Sequence, residues 1–107
     1  MPDGRLPTLL HMRRAYLVCY DVREAKRLRR VHKTLKGFGE PWQYSVFFCC
    51  LRDIDRVRMQ TALEAELNLK EDQCLILDLG GDETAARDAA VTLGESLPDR
   101  RSTMTVI

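Results

Sequence analysis

The feature that most constrains this chain is an apolar strand that ends in an acid. Residues 16–20 read YLVCY, a run typical of a buried β-strand, and Asp21 follows it directly. Basic residues follow Asp21 closely, beginning with Arg23. Two explanations of Asp21 are open: it caps a helix starting near Arg23 by accepting backbone N–H groups, or its carboxylate binds a hard cation such as Mg²⁺.

The apolar periodicity predicts an α+β chain in which two helices cross between strands of one sheet. The segment Pro41–Leu51 is too long for one strand, and we expect two pairing segments with a break near Gln43–Tyr44. The fold class expected is ferredoxin-like βαββαβ with an additional C-terminal strand. The predicted elements are a strand over 15–21, a helix over 24–38, the two strands of 41–51, a helix over 53–67, a strand over 74–79, a short helix over 83–94 and a terminal strand over 102–107.

Residue spacing within the two long helices predicts their buried sides. In the first, Ala25, Leu28, Val31, His32, Leu35 and Phe38 recur at helical spacing, which leaves Arg23, Arg27, Arg30 and Lys33 facing water or a ligand. Asp53 is the predicted N-cap of the second helix. Its predicted buried side comprises Ile54, Val57, Met59, Ala62, Leu63 and Leu67.

Length and cysteine pattern suggest one domain in a reducing compartment. The 107 residues divide into an N-terminal extension (1–14), a ferredoxin-like domain (15–80) and a C-terminal segment (81–107). The four cysteines lie in apolar stretches without CxxC spacing, so we expect buried free thiols. The sequence has no membrane-span pattern, and the expected location is cytoplasmic.

The net charge of +1 conceals two oppositely charged blocks. Residues 13–36 carry nine basic residues against two acids, and residues 64–99 carry ten acids against two basic residues. The basic block fits a polyanion or an acidic protein surface, and a solvated helix face explains it equally well.

Few catalytic arrangements are available. The two histidines belong to no recognisable triad, and there is no phosphate-binding glycine loop. One carboxylate is a poor metal site, but a two-fold dimer would bring two copies of Asp21 to one axis.

The ordered motifs YDV at 20–22, an arginine-rich helix, a glycine and QYSVF at 43–47 resemble the CRISPR-associated protein 2 family over roughly residues 15–80. The resemblance implies a homodimer with Asp21 at its centre as the catalytic residue and Mg²⁺ ligand, flanked by Tyr20, Ser45 and Phe47. Candidate nucleic-acid contacts are Arg23, Arg27, Arg30 and Lys33.

Family likeness further implies a role in CRISPR spacer acquisition, as the dimer that bridges integrase dimers and binds duplex DNA. It implies metal-dependent cleavage of DNA or single-stranded RNA, and a terminal strand that pairs with the partner's sheet. Two departures stand out: Pro41 occupies a position that is often basic, and Phe48 one that is commonly acidic.

Three hypotheses therefore remain open. In the first, Asp21 supports metal-dependent phosphodiester cleavage. In the second, the protein is a non-catalytic DNA-binding scaffold in which Asp21 is structural. In the third, it is a ferredoxin-like regulatory module or a toxin-like RNase of similar fold. Tyr20 and Phe47 also have a simpler interpretation as core or interface aromatics, and Ser45 as strand-edge polarity.

Overall fold

The computed structural model describes residues 12–95. Predictions for residues 1–11 and for the terminal strand at 102–107 lie outside these residues. The elements in chain order are β1 (Arg13–Asp21), α1 (Ala25–Lys36), β2 (Glu40–Gln43), β3 (Val46–Arg52), α2 (Asp53–Glu66), β4 (Gln73–Gly80) and α3 (Glu83–Asp88).

The four strands form one antiparallel sheet in the order β2-β3-β1-β4. Strand β1 is central and pairs with both β3 and β4, as the ferredoxin-like topology requires, and the predicted fold class is confirmed. The predicted break in the segment 41–51 is also confirmed, because β2 and β3 are separated by the two-residue turn Tyr44–Ser45.

One face of the sheet is covered by α1 and α2. The alternating residues Tyr16, Val18 and Tyr20 of β1 point into this core, where α1 contributes Val31 and Leu35. Met59 and Leu63 of α2 complete the layer. Each fully buried aliphatic side chain contributes roughly 1.5–3 kcal/mol to folding, so this layer is the main source of stability.

Among the described residues, the short helix α3 is the only element on the opposite face of the sheet. The Arg87 guanidinium lies 4.4 Å above the Phe48 ring, which stacks on Trp42 with 4.6 Å between ring centroids. Beyond α3, cross-strand pairs Leu17–Leu77 and Cys19–Leu75 lie on this face. Leu75 and Leu77 are 54% and 46% exposed. We call Leu17, Cys19, Leu75 and Leu77 the open face.

Three details differ from the sequence predictions. Helix α1 is shorter at both ends than 24–38, with Glu24 as its N-cap. Arg52, not Asp53, is the N-cap of α2, and it makes no side-chain capping bond. Helix α3 ends at Asp88 instead of continuing to residue 94, where Val91 and Leu93 are exposed with no layer to pack against.

The predicted buried side of α2 is wrong at Ile54 and Val57, which are exposed. The observed core-facing stripe runs through Met59 and Leu63. At about 100° per residue, Val57 lies roughly 200° around the helix from Met59, and Ile54 roughly 140°. Among the described residues, no helix is long and apolar enough to cross a bilayer.

Candidate functional site

Asp21 is the last residue of β1, and its side chain is exposed. It pairs with Gln73 of β4, and the alternation of the strand puts it on the same face of the sheet as Leu17 and Cys19. The carboxylate therefore lies at one end of the open face. It makes no hydrogen bond or ion pair with any residue of the described range 12–95.

The explanation of Asp21 as a helix cap is wrong. Glu24 caps α1: its Oε1 accepts the backbone N–H of Arg27 at 2.9 Å. This hydrogen bond is the main reason that the pKa of Glu24 lies below its usual range. The helix N-terminus thus has its own acid, and the Asp21 carboxylate remains available for another role.

Buried aromatic residues support the strand end that carries Asp21. The Tyr20 hydroxyl lies 3.2 Å from His32 Nδ1, and the Phe47 ring contacts both, with centroid distances of 6.3 Å to Tyr20 and 5.2 Å to His32. Burial raises the pKa of Tyr20 to about 12, and burial also lowers the pKa of His32. A protonated phenol donating to a neutral imidazole fits both shifts, and Tyr20 and Phe47 are core residues.

Ser45 ties the β2–β3 turn to the same strand end. Its carbonyl oxygen accepts the backbone N–H of Tyr20 at 3.1 Å. Its φ of 64° lies in the left-handed region, which is uncommon outside glycine and asparagine. This conformation brings the turn residues Tyr44 and Ser45 beside the residue that precedes Asp21.

Arg27 differs from the other predicted nucleic-acid contacts. Its guanidinium donates to Asp72 at 2.9 and 3.1 Å and to Glu71 at 3.1 Å. The side chain is only 17% exposed, and that of Asp72 is fully buried. Arg27 therefore joins α1 to the loop before β4, whereas the helical pattern predicts that it faces water or a ligand.

Asp72 is the centre of this junction. Besides Arg27, its carboxylate accepts the backbone N–H groups of Arg23 and Asn68, each at 2.9 Å. These bonds, with Arg27 the largest contributor, hold the pKa of Asp72 far below its usual range. The aspartate is ionised and fully bonded, so it is not a free ligand.

Arg23, Arg30 and Lys33 have exposed side chains and make no ion pair with residues 12–95. Helix α1 adds three further exposed basic residues, Lys26, Arg29 and Lys36, that the sequence analysis counted but did not assign. Three- and four-residue spacing was the signal that could have identified them. We call Arg23, Lys26, Arg29, Arg30, Lys33 and Lys36 the α1 basic face.

A metal site cannot be assembled from one copy of the described chain. Within residues 12–95, no three His, Cys, Asp or Glu side chains are grouped to hold an ion. Phe48, at the position that is commonly acidic in the family, is buried against Trp42 and Arg87. Asp21 offers the oxygen donor that Mg²⁺ prefers, but it fits the cation only if a second copy supplies another carboxylate.

The fold and site define a class: a ferredoxin-like protein with an exposed acid at the end of its central strand and a basic first helix. Residues 13–87 match the family model for CRISPR associated protein Cas2. The chain therefore belongs to the Cas2 family.

Relatives and solved structures agree with this assignment. A CRISPR-associated endoribonuclease Cas2 of Geobacter sulfurreducens is 46% identical over 69 residues, which are 64% of this chain and 73% of that protein. One from Thermodesulfovibrio yellowstonii is 35% identical over 82% of this chain and 93% of its own length. The crystal structure of Streptococcus pyogenes Cas2 is 30% identical, with a TM-score of 0.68 over 75% of this chain and 99% of that one.

Proposed function

We propose that this protein is a homodimeric subunit of CRISPR spacer acquisition that binds duplex DNA and bridges integrase dimers, with magnesium-dependent phosphodiester cleavage at paired Asp21 residues. The single observation that supports it most is the position of Asp21. The acid is exposed and unpaired within the described chain, and it lies in register with an apolar face that no helix of residues 12–95 covers.

The open face is the surface proposed for dimerisation. Leu75 and Leu77 lie side by side with Cys19 and Leu17, and a contiguous apolar patch of this kind is typical of an interface. An interface around a two-fold axis uses the same patch from both copies. An axis near the end of β1 would bring the two Asp21 carboxylates together.

Two Asp21 carboxylates, one from each copy, would supply the second oxygen ligand that a single copy lacks for binding Mg²⁺. A hard divalent cation held there supplies activation of water and stabilisation of charge on a phosphodiester. The residues of this chain then have separate tasks. Asp21 binds the cation, Tyr20 and Phe47 anchor its strand in the core, and Ser45 holds the adjacent turn against β1.

The α1 basic face is the surface proposed for DNA. Its six cationic side chains are exposed, and guanidinium groups match the geometry of phosphate oxygens. Contacts of this kind position a duplex without reading its sequence. Arg27 is left out of this surface, because its guanidinium is already bound by Asp72 and Glu71.

The deciding experiment is cleavage of labelled duplex DNA and single-stranded RNA with and without Mg²⁺, comparing wild type, Asp21→Ala and Asp21→Asn. We expect both variants to lose the magnesium-dependent cleavage while keeping dimer formation and DNA binding. Asp53→Asn, which alters an exposed acid on α2, is the matched control. Cleavage that persists equally in all four proteins would exclude Asp21 as the catalytic residue.

A non-catalytic scaffold is the second candidate, favoured because residues 12–95 contain no group of three His, Cys, Asp or Glu side chains that could hold a metal ion. It predicts no magnesium-dependent cleavage by the wild type, together with DNA binding that depends on the α1 basic face. A ferredoxin-like regulatory module, the third hypothesis, would bind neither DNA nor an integrase. Co-expression and co-purification with a CRISPR integrase separate these two.

A further inference from the structure

The strand end opposite Asp21 carries a second concentration of arginines. Arg13 of β1 is directly opposite Arg52 of β3 in the antiparallel register. Directly opposed side chains in a sheet are close neighbours, and like charges at such positions destabilise the pair. The register therefore places two arginines beside each other at this end of the sheet.

A bonded arginine other than Arg13 is the main cause that lowers the pKa of Asp55 and that of Glu83, and Arg13 contributes less to both. Asp55 bonds Arg52 at 2.8 Å and also lies 3.4 Å from Arg58, so one carboxylate serves two guanidinium groups. Arg13 makes no ion pair with residues 12–95, and its only bond there is a long one of 3.4 Å to the Cys50 carbonyl oxygen. Arg13, Arg52 and Arg58 thus carry a local excess of positive charge. We call these three residues the distal arginine patch.

This patch is separate from both surfaces already described. Eight residue steps along β1 separate Arg13 from Asp21, about 26 Å at the usual rise of a strand. Arg13 and Arg52 lie at the end of the sheet where α2 begins, and Arg58 lies on α2, so the patch is on a different element from the α1 basic face. Helix α3 bonds to Glu40 through Arg87 and lies over Phe48, the cross-strand partner of Leu17.

We propose that the distal arginine patch is a second contact surface for the phosphate backbone of duplex DNA, and this inference rests on the DNA binding proposed above. The Arg13 guanidinium, which has no ion pair with residues 12–95, offers free donors to a phosphate oxygen, and Arg52 and Arg58 add positive charge beside it.

Arg13 should affect binding without supporting the fold. Arg13→Gln changes an exposed side chain that has no ion pair with residues 12–95, so the midpoint of thermal unfolding should shift by no more than about 2 °C. The same change removes a phosphate contact. It should weaken duplex binding about three- to tenfold, and reduce the slope of log K against log salt by about one for each copy that contacts the DNA.

The experiment is fluorescence anisotropy of a labelled random-sequence duplex, titrated at several salt concentrations. Arg14→Gln is the matched control, because neighbouring Arg14 is exposed but already bonded to Asp78 at 2.9 Å. Arg13→Lys keeps the charge and should restore most of the salt slope. Arg30→Gln, on the α1 basic face, reports on the proposed DNA binding itself.

The outcomes separate the two proposals. Weaker binding by both Arg13→Gln and Arg30→Gln, with effects that add in the double variant, supports the distal patch as an independent contact. Unchanged binding by Arg13→Gln with weaker binding by Arg30→Gln overturns the patch and leaves the proposed function intact. Unchanged duplex binding by both variants overturns both the patch and the proposed DNA binding. Loss of integrase association without loss of duplex affinity also overturns the patch as a DNA contact and makes it a protein contact.

Discussion

The Arg27 guanidinium binds the fully buried carboxylate of Asp72, with 2.9 Å between Nε and Oδ2. The pair connects α1 to the loop that precedes β4. Since β4 pairs with β1 up to Asp21, this contact helps to position the candidate site without being part of it. Of the predicted nucleic-acid contacts, Arg27 is the one whose guanidinium is already bound within the protein, by Asp72 and Glu71.

Arg27→Gln should destabilise the protein, because it leaves a buried carboxylate without its strongest partner. We expect the midpoint of thermal unfolding to fall by on the order of 10 °C, measured by circular dichroism. Arg30→Gln, three residues further along the same helix and exposed, should shift it by no more than about 2 °C. Equal midpoints for the two variants would contradict the structural role of Arg27.

Acid stability should depend on Asp72. Its pKa is depressed in the folded protein, so its contribution is fully present above the unfolded pKa of about 4 and is lost as pH falls below that value. Urea unfolding of the wild type should therefore show stability declining below about pH 4. Asp72→Asn should be less stable at pH 7 and decline less steeply. Asp53→Asn should follow the wild-type curve.

Gly39 should tolerate no side chain. A Cβ at this position would lie 2.5 Å from Cys49 Sγ and closer still to the Phe48 carbonyl oxygen, where the chain passes β3 before β2 begins. We expect Gly39→Ala to cost about 1–3 kcal/mol in the free energy of unfolding. Gly37→Ala is the control: its only close neighbour is the Thr34 carbonyl oxygen at 3.3 Å, and its φ is −78°. A Gly39→Ala protein as stable as wild type would contradict this packing.

The open face should control oligomeric state. Leu75→Glu places a charge at its centre and should convert the proposed dimer to a monomer in light scattering, with little change in thermal midpoint because the side chain is exposed in one copy. Leu69→Glu alters another exposed leucine, outside this face, and should leave the dimer intact. A dimeric Leu75→Glu protein would place the interface elsewhere.

Local pattern was enough to predict much of the fold. The YLVCY run, the helical spacing of Val31 and Leu35, and the break before Val46 each depend on neighbours a few residues away, and all three predictions agree with the structure. Asp21 was likewise identified as a strand-end acid from position alone. The sequence did not predict that the Asp21 carboxylate is free of a capping role, because only the geometry of the first turn of α1 shows that Glu24 is the cap.

What the sequence by itself determined is the order of the elements, the ferredoxin-like class and the basic character of α1, since periodicity and composition are local properties. Tertiary structure alone decided which arginines are free. Arg27 and Arg30 share a helix and a residue type, but Asp72 reaches Arg27 from 45 residues away. The opposition of Arg13 and Arg52 likewise arises only when β1 and β3 pair in register. Such contacts depend on distances in space that no spacing along the chain specifies.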